Sequence, residues 1–174
     1  MLCRRDVQEP LNVVRRVLER LGLSLNEAQT HRVDATQASF NFLGFSIRMS
    51  RGLRTGQPYP HGCPADKALR KIKTKLTELT GRELTPIPLE KLVENVNRSL
   101  RGWVNYFHYR NSNRVMEKVK THTEQRVRTH LRKRHKVKDR GIGEGRFPSV
   151  DLYRRYGLYK VPTAAGGRSA HTSA

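Results

Sequence analysis

Apolar positions along this chain recur first at helical spacing, then in strict alternation, then at helical spacing again for most of the remaining length. Val7, Leu11, Val14, Leu18 and Leu21 predict a helix over 6–22. Asp6 with Glu9 forms an N-terminal capping pattern, Pro10 sets the regular helix to begin nearer Glu9, and Gly22 closes it. After a turn at Ser24-Leu25-Asn26-Glu27, two short extended runs follow, Thr30–Val33 and Phe40–Met49. In the second, Phe40 and Phe42 alternate in one phase, and Phe45, Ile47 and Met49 in the other. The switch at Leu43-Gly44 predicts a glycine-containing β-bulge, and the alternation on both sides predicts a half-buried β-hairpin.

Residues 50–64 hold three Gly and three Pro, which predicts a linker and a domain boundary. Beyond it the spacing is helical as far as about residue 138. Leu69, Ile72, Leu76 and Leu79 form the inward stripe of a helix over 65–80, and Lys67, Arg70, Lys71, Lys73 and Lys75 lie mostly on its other faces. Gly81 ends it. Pro86 and Pro88 start a helix carrying Leu89, Leu92, Val93 and Val96, and Asn97 is placed to cap a further helix. That further helix carries Leu100-Arg101-Gly102-Trp103-Val104-Asn105-Tyr106-Phe107-His108-Tyr109-Arg110, with the chain's only Trp. Val96, Leu100, Val104 and Phe107 continue one apolar stripe, so Trp103 and Phe107 are expected in the core. Gly102 beside the Trp suggests close packing of another segment. Tyr106, Tyr109 and Arg110 are the candidates to offer a face to a base or phosphate.

Ser112 is placed to cap a long helix reaching about His135, with a thin stripe of Val115, Val119, Val127 and Leu131 and a cationic end, Arg132-Lys133-Arg134-His135-Lys136-Val137-Lys138. After Gly141 the chain is Gly-rich and loop-like. Leu152-Tyr153-Arg154-Arg155-Tyr156-Gly157-Leu158-Tyr159 is expected to pack back on the helices, and 163–174 to be a disordered tail. The predicted organisation is therefore 1–49, a linker 50–64, a helical domain 65–138, a C-terminal segment 139–162 and the tail.

Charge changes the picture. The chain carries 35 Lys+Arg against 15 Asp+Glu, a net +20. Over 67–138 there are 20 cationic and 6 acidic residues, so 14 of the 20 net charges sit in the helical region. A solvated helix face normally mixes signs, and this one does not, which points to a polyanion. No apolar run approaches a membrane span, and no apolar region follows the N-terminal charges, so nucleic acid is the expected partner rather than a membrane. Two cysteines, Cys3 and Cys63, make no disulfide framework and fit a reducing, cytoplasmic setting. His61-x-Cys63 has no second pair at ligand spacing, so no metal is expected there.

With these residues in view, the chain resembles the C-terminal part of a group II intron-encoded reverse transcriptase/maturase. Leu21-Gly22-Leu23-Ser24-Leu25-Asn26-Glu27-Ala28-Gln29-Thr30, followed by Phe40-Asn41-Phe42-Leu43-Gly44-Phe45, is similar to the end of the family's palm. There a helix leads to a Leu-Asn-x-x-Lys-Thr turn and a Phe-x-Phe-Leu-Gly-Phe hairpin. The basic helix, the Arg101-Gly102-Trp103-Val104-Asn105-Tyr106-Phe107 stretch and the Lys/Arg-rich helix over 65–136 are similar to the maturase-specific domain, also called domain X or thumb. Gly157-Leu158-Tyr159 resembles the family's C-terminal segment. Gln29 stands where the family usually has Lys. His122 and Thr123 stand where it typically has Trp and an apolar residue, which predicts looser packing of the long helix.

The resemblance implies a mainly α fold, a helical thumb bundle preceded by a helix and β-hairpin remnant of a palm. It implies group II intron RNA as the partner, with assistance to splicing as the function and the RNA supplying the chemistry. RNA contacts are expected from Lys67, Arg70, Lys71, Lys73, Lys75, Arg110, Arg114, Arg126, Arg132, Lys133, Arg134, Lys136 and Lys138. Exchange of Arg132, Lys133 and Arg134 for Gln is expected to leave folding intact, since Gln is a comparable helix former. Phe40, Phe42, Leu43, Gly44 and Phe45, with Gly102, Trp103, Asn105, Tyr106 and Phe107, are the structural motifs. In the family a catalytic Tyr-Ala-Asp-Asp turn immediately precedes a segment resembling Leu2-Cys3-Arg4, and this chain begins just after it. Two-metal polymerase chemistry needs paired carboxylates, so no catalytic residue and no cofactor are expected here; Mg²⁺ belongs to a complete reverse transcriptase. Without the rest of a palm sheet, Phe40, Phe42, Phe45 and Ile47 are expected to leave an uncovered apolar edge. The alternative is the C-terminal part of a split or mis-started active reverse transcriptase, with an upstream fragment as partner. A third reading is an unspecific basic DNA-binding protein, which predicts no preference for folded intron RNA.

Overall fold

A computed structural model of the chain describes residues 7–26, 30–109, 111–138 and 140–164. The expected cap at Asp6, the departure at Gln29, the candidate contact Arg110 and all of the expected tail beyond Ala164 lie outside these residues. The protein is mainly helical, with a small antiparallel sheet ahead of most of the helices. It divides into two compact units, residues 1–34 and 35–174.

The first unit holds helix α1 (Gln8–Arg20), amphipathic, with Leu11 buried. It ends as the glycine predicts: the Gly22 N–H donates to Glu19 O and the Leu23 N–H to Leu18 O at 2.9 Å, which satisfies the last carbonyls.

The second unit opens with strands β1 (Phe40–Phe42), β2 (Phe45–Arg51) and β3 (Pro58–Pro64), in sheet order β1-β2-β3. Thr30–Val33 is not a strand; the hairpin begins with the second alternating run at Phe40 and extends two residues past its expected end, to Arg51. Phe42 pairs with Phe45, so Leu43-Gly44 is a two-residue turn and not a bulge. Both turn residues have positive φ, +47° and +81°, the geometry that matches the right-handed twist of the flanking strands. A two-residue reversal also returns each phenylalanine to the same face, which accounts for the switch of phase. The linker expected at 50–64 contains β3. Pro58, Pro60 and Pro64 are spaced by two or four, so their missing N–H groups all fall on one side of the strand, the open edge.

Helix α2 (Asp66–Glu78) buries Leu69, Ile72 and Leu76, and a 3₁₀ turn (Arg82–Leu84) follows. Helix α3 (Leu89–Phe107) is a single helix where two were expected. Nothing between Leu89 and Phe107 breaks it, and Leu92, Val96, Leu100, Val104 and Phe107 bury one continuous stripe. Asn97 therefore caps nothing. Its side-chain amide donates to Gly157 O at 2.8 Å, and its carbonyl oxygen accepts from the Tyr159 N–H at 2.7 Å, clamping the C-terminal segment. Helix α4 (Asn113–Arg134) buries Met116, Val119, Thr123, Val127, His130 and Leu131. Ser112 sits at its N-cap position, yet its hydroxyl is buried without a hydrogen bond among the described residues.

The Gly-rich stretch expected to be a loop forms helix α5 (Arg140–Arg146), followed by α6 (Ser149–Arg154). A Cβ at Gly143 would stand 2.2 Å from Arg132 Cδ, so the glycine lets α5 lie against α4. One apolar core joins Leu76, Leu100, Met116, Leu131 and Leu152, all fully buried, with Leu158 and Val161 packed back on it. Each such side chain contributes about 1.5–3 kcal/mol by leaving water. No helix among the described residues is long and apolar enough to cross a membrane.

Candidate nucleic-acid interface

The two aromatic motifs meet. Phe45, at the start of β2, lies 5.1 Å from Phe107 and 5.8 Å from Tyr106 between ring centroids, and Trp103 lies 4.7 Å from Phe107. The Tyr106 hydroxyl donates to Leu43 O at 3.0 Å, holding the turn against α3. A Cβ on Gly44 would sit 3.1 Å from the Phe107 ring, so glycine serves both the turn and the close approach. The expected uncovered edge is thus partly covered: Phe45, Phe40 and Ile47 are half-buried, while Phe42 and Leu43 stay exposed. Trp103 is half-buried at the margin of the core and Phe107 is buried. Gly102 is exposed with nothing within 4 Å of a Cβ, so among the described residues no segment packs on it. Asn105, Tyr106 and Tyr109 are exposed.

This docking carries the opposite, polar face of the sheet to the start of α4. Arg48 on β2 pairs in register with His61 on β3. His61 Nδ1 accepts from the Asn111 amide at 2.9 Å, tying β3 to the α3–α4 connection. Burial lowers the His61 pKa, and the charges of Arg48 and Arg114 lower it further. Burial pushes the neighbouring Cys63 thiol up; Arg48 and Lys118 oppose that and Asp66 reinforces it. Arg48, Arg114 and Lys118 therefore converge on this corner.

The strip continues between α2 and α4. An open groove of about 490 Å³ is lined by Lys73, Arg114, Glu117, Lys118, Thr121, His122 and Gln125. Across its floor His122 Nε2 lies 3.2 Å from Lys73 O and 3.4 Å from Thr77 Oγ1. His122 bonds α4 to α2, and the buried Thr123 hydroxyl donates to Val119 O at 2.7 Å.

Twelve of the thirteen expected contact residues lie among the described residues, and they divide by what they touch. Lys67, Arg70, Lys71 and Lys75 are exposed on α2, with Lys75 3.8 Å from Glu78. Lys73 and Arg114 come together in the groove. Lys133, Lys136 and Lys138 are exposed at the far end of α4 and beyond it. The arginines Arg126, Arg132 and Arg134 have intramolecular work. Arg126 donates to Thr80 Oγ1 at 3.1 Å and Thr77 O at 3.2 Å. Arg134 donates to Thr85 O at 2.9 Å and Ile87 O at 2.7 Å. Arg132 donates to Lys138 O at 3.1 Å. The expectation that Arg132 and Arg134 can be exchanged without cost to folding is corrected by these bonds.

Sequence reasoning missed Arg48, His61, Lys118 and His122 as members of one surface. Arg48 carried a signal, since it falls out of phase with Phe45 and Ile47 and so faces away from them. Arg128 was missed as well. It donates to Phe147 O at 3.0 Å and Ser149 Oγ at 3.1 Å, while Glu124 accepts from Ser149 and Tyr153, fastening α6 to α4.

No curated protein matches the chain. Residues 69–144, which take in nearly all of α2, the whole of α3 and α4, and most of α5, match the family model described as "Group II intron, maturase-specific domain". This stretch of the chain, with the basic α2–α4 groove inside it, matches a maturase-specific domain of a group II intron protein.

Proposed function

We propose that the chain is an RNA-binding protein that grips folded group II intron RNA and assists its splicing, with the RNA supplying the chemistry. The observation that carries this reading is the convergence of Lys73, Arg114 and Lys118 on one groove inside the matched region, against the single carboxylate of Glu117 among its lining residues. Lys67, Arg70, Lys71 and Lys75 extend the cationic surface along α2, and Arg48 extends it onto the sheet. Phosphate contacts of this kind set affinity and register, and on folded RNA the shape of the backbone supplies the selectivity. Arg126, Arg132 and Arg134 contribute by holding the framework.

The test is competition. A labelled, folded group II intron RNA is bound by the full chain and challenged with unlabelled intron RNA or with duplex DNA of equal phosphate content, at fixed salt. Intron RNA should displace the label at concentrations at least tenfold lower. Equal displacement by the two would leave only an unspecific basic protein, and the maturase reading would be withdrawn.

A further inference from the structure

The groove contains one member whose charge is not fixed. His122 meets the Lys73 carbonyl through Nε2. A carbonyl only accepts, so Nε2 carries the N–H of the neutral ring, and any second proton goes onto Nδ1. In the free protein that step is disfavoured. Burial holds the imidazole below its ordinary value; the bond to the Lys73 carbonyl works the other way, and the charges of Lys73 on α2 and Arg126 on α4 depress it again. The groove's other charged groups, Arg114, Lys118 and Glu117, come from α4, and the Glu117 carboxylate is paired with Lys120 at 3.2 Å. A phosphodiester entering between Lys73, Arg114 and Lys118 would reverse the local field and favour the imidazolium.

We propose that the α2–α4 groove is a phosphodiester subsite for the RNA backbone, at which His122 takes up a proton as the phosphate enters. This rests on the RNA reading above and adds a proton to it. Uptake balances simply: one proton moves from solvent to Nδ1, the Nε2–H stays on the Lys73 carbonyl, and the new N–H is a further donor for a phosphate oxygen. His61, the strip's other imidazole, is not equivalent. Its Nδ1 already accepts from Asn111, so charging that nitrogen costs an existing bond.

The experiment is calorimetric binding of a folded group II intron RNA to the full chain near pH 6, in two buffers of different ionisation enthalpy, for wild type, His122→Gln and His61→Gln. Gln at 122 keeps an amide N–H for the Lys73 carbonyl and removes the titration. Wild type and His61→Gln should take up about one proton more per bound protein than His122→Gln. Their affinity should gain up to about tenfold per pH unit on acidification relative to that variant. As a second readout needing no variant, the His122 ring resonance should titrate at higher pH with RNA bound than without. Equal uptake in wild type and His122→Gln, or an unmoved His122 titration, with RNA binding intact, overturns the proton step alone. Absence of preferential RNA binding by wild type overturns the groove and the maturase reading together.

Discussion

Replacing Arg134 by Gln is expected to weaken the fold and not merely to remove a charge. The Arg134 Nη1 group donates to Thr85 O and Ile87 O, at 2.9 and 2.7 Å, and so ties the end of α4 to the Pro-containing connection between the 3₁₀ turn and α3. Gln is shorter and uncharged and cannot serve both carbonyls. Hydrogen bonds from a charged donor are worth about 1.5–3 kcal/mol. Two bonds from one half-buried guanidinium nitrogen are not additive, so a loss of about 2–3 kcal/mol is expected. On a unit of this size that lowers Tm by about 5–10 °C. Lys133→Gln is the matched control, because it makes the same charge change at an exposed neighbour. The assay is a circular dichroism melt and a urea titration of both variants at two salt concentrations. Lys133→Gln should melt within about 1 °C of wild type, since exposed substitutions of this kind stay within roughly 0.5 kcal/mol. If the two variants melt together, the carbonyl bonds of Arg134 carry no stability and its removal from the contact surface is unjustified.

Two further perturbations follow from the geometry. Gly44→Ala places a side chain at φ +81° and a Cβ 3.1 Å from the Phe107 ring, so a loss of about 1–3 kcal/mol is expected in a urea titration, and unchanged stability would refute the turn-to-helix docking. His130 is fully buried, and burial holds its pKa below the ordinary value; the Thr80 and Gly81 backbone opposes this, and the charges of Arg134 and Lys133 add to the lowering. The unfolded chain therefore binds a proton there before the folded one does. The stability this represents is present above about pH 6.5 and is lost as pH falls, by up to about 1.4 kcal/mol per pH unit. His130→Met should show a shallower fall between pH 7 and pH 5, and an identical slope would refute the assignment.

What was legible in the sequence was the part fixed by local spacing. Leu69, Ile72 and Leu76, and Val96, Leu100, Val104 and Phe107, recur at i+3 and i+4, and the structure buries them. Local spacing also misled where one residue type does two jobs. Pro58, Pro60 and Pro64 count as loop formers, yet spaced by two and four they fit an edge strand. Gly143 counts as a breaker, yet it is what lets a helix approach Arg132. Gly102 suggested a close neighbour because a missing side chain looks the same with or without one. The arginines could not be sorted from sequence, since their acceptors lie far along the chain: Thr80 is 46 residues from Arg126, and Thr85 is 49 from Arg134. His122 was expected to loosen a helix because it stands where a Trp is typical, and its partner, the Lys73 carbonyl, is likewise 49 residues away. Both aromatic motifs were visible, but their contact, 63 residues apart between Leu43 and Tyr106, was not.

The most direct measurement is the salt dependence of binding to a folded group II intron RNA, for wild type and for the combined variant Lys73→Gln, Arg114→Gln, Lys118→Gln. Arg114 and Lys118 are exposed and Lys73 is half-buried, so the variant should melt near wild type. Each phosphate contact removed lowers the magnitude of the log–log slope by about 0.7–0.9, so the variant should lose roughly 2–3 from it. A slope equal to that of wild type would contradict the account, and would show that the groove between α2 and α4 is not where the RNA backbone lies.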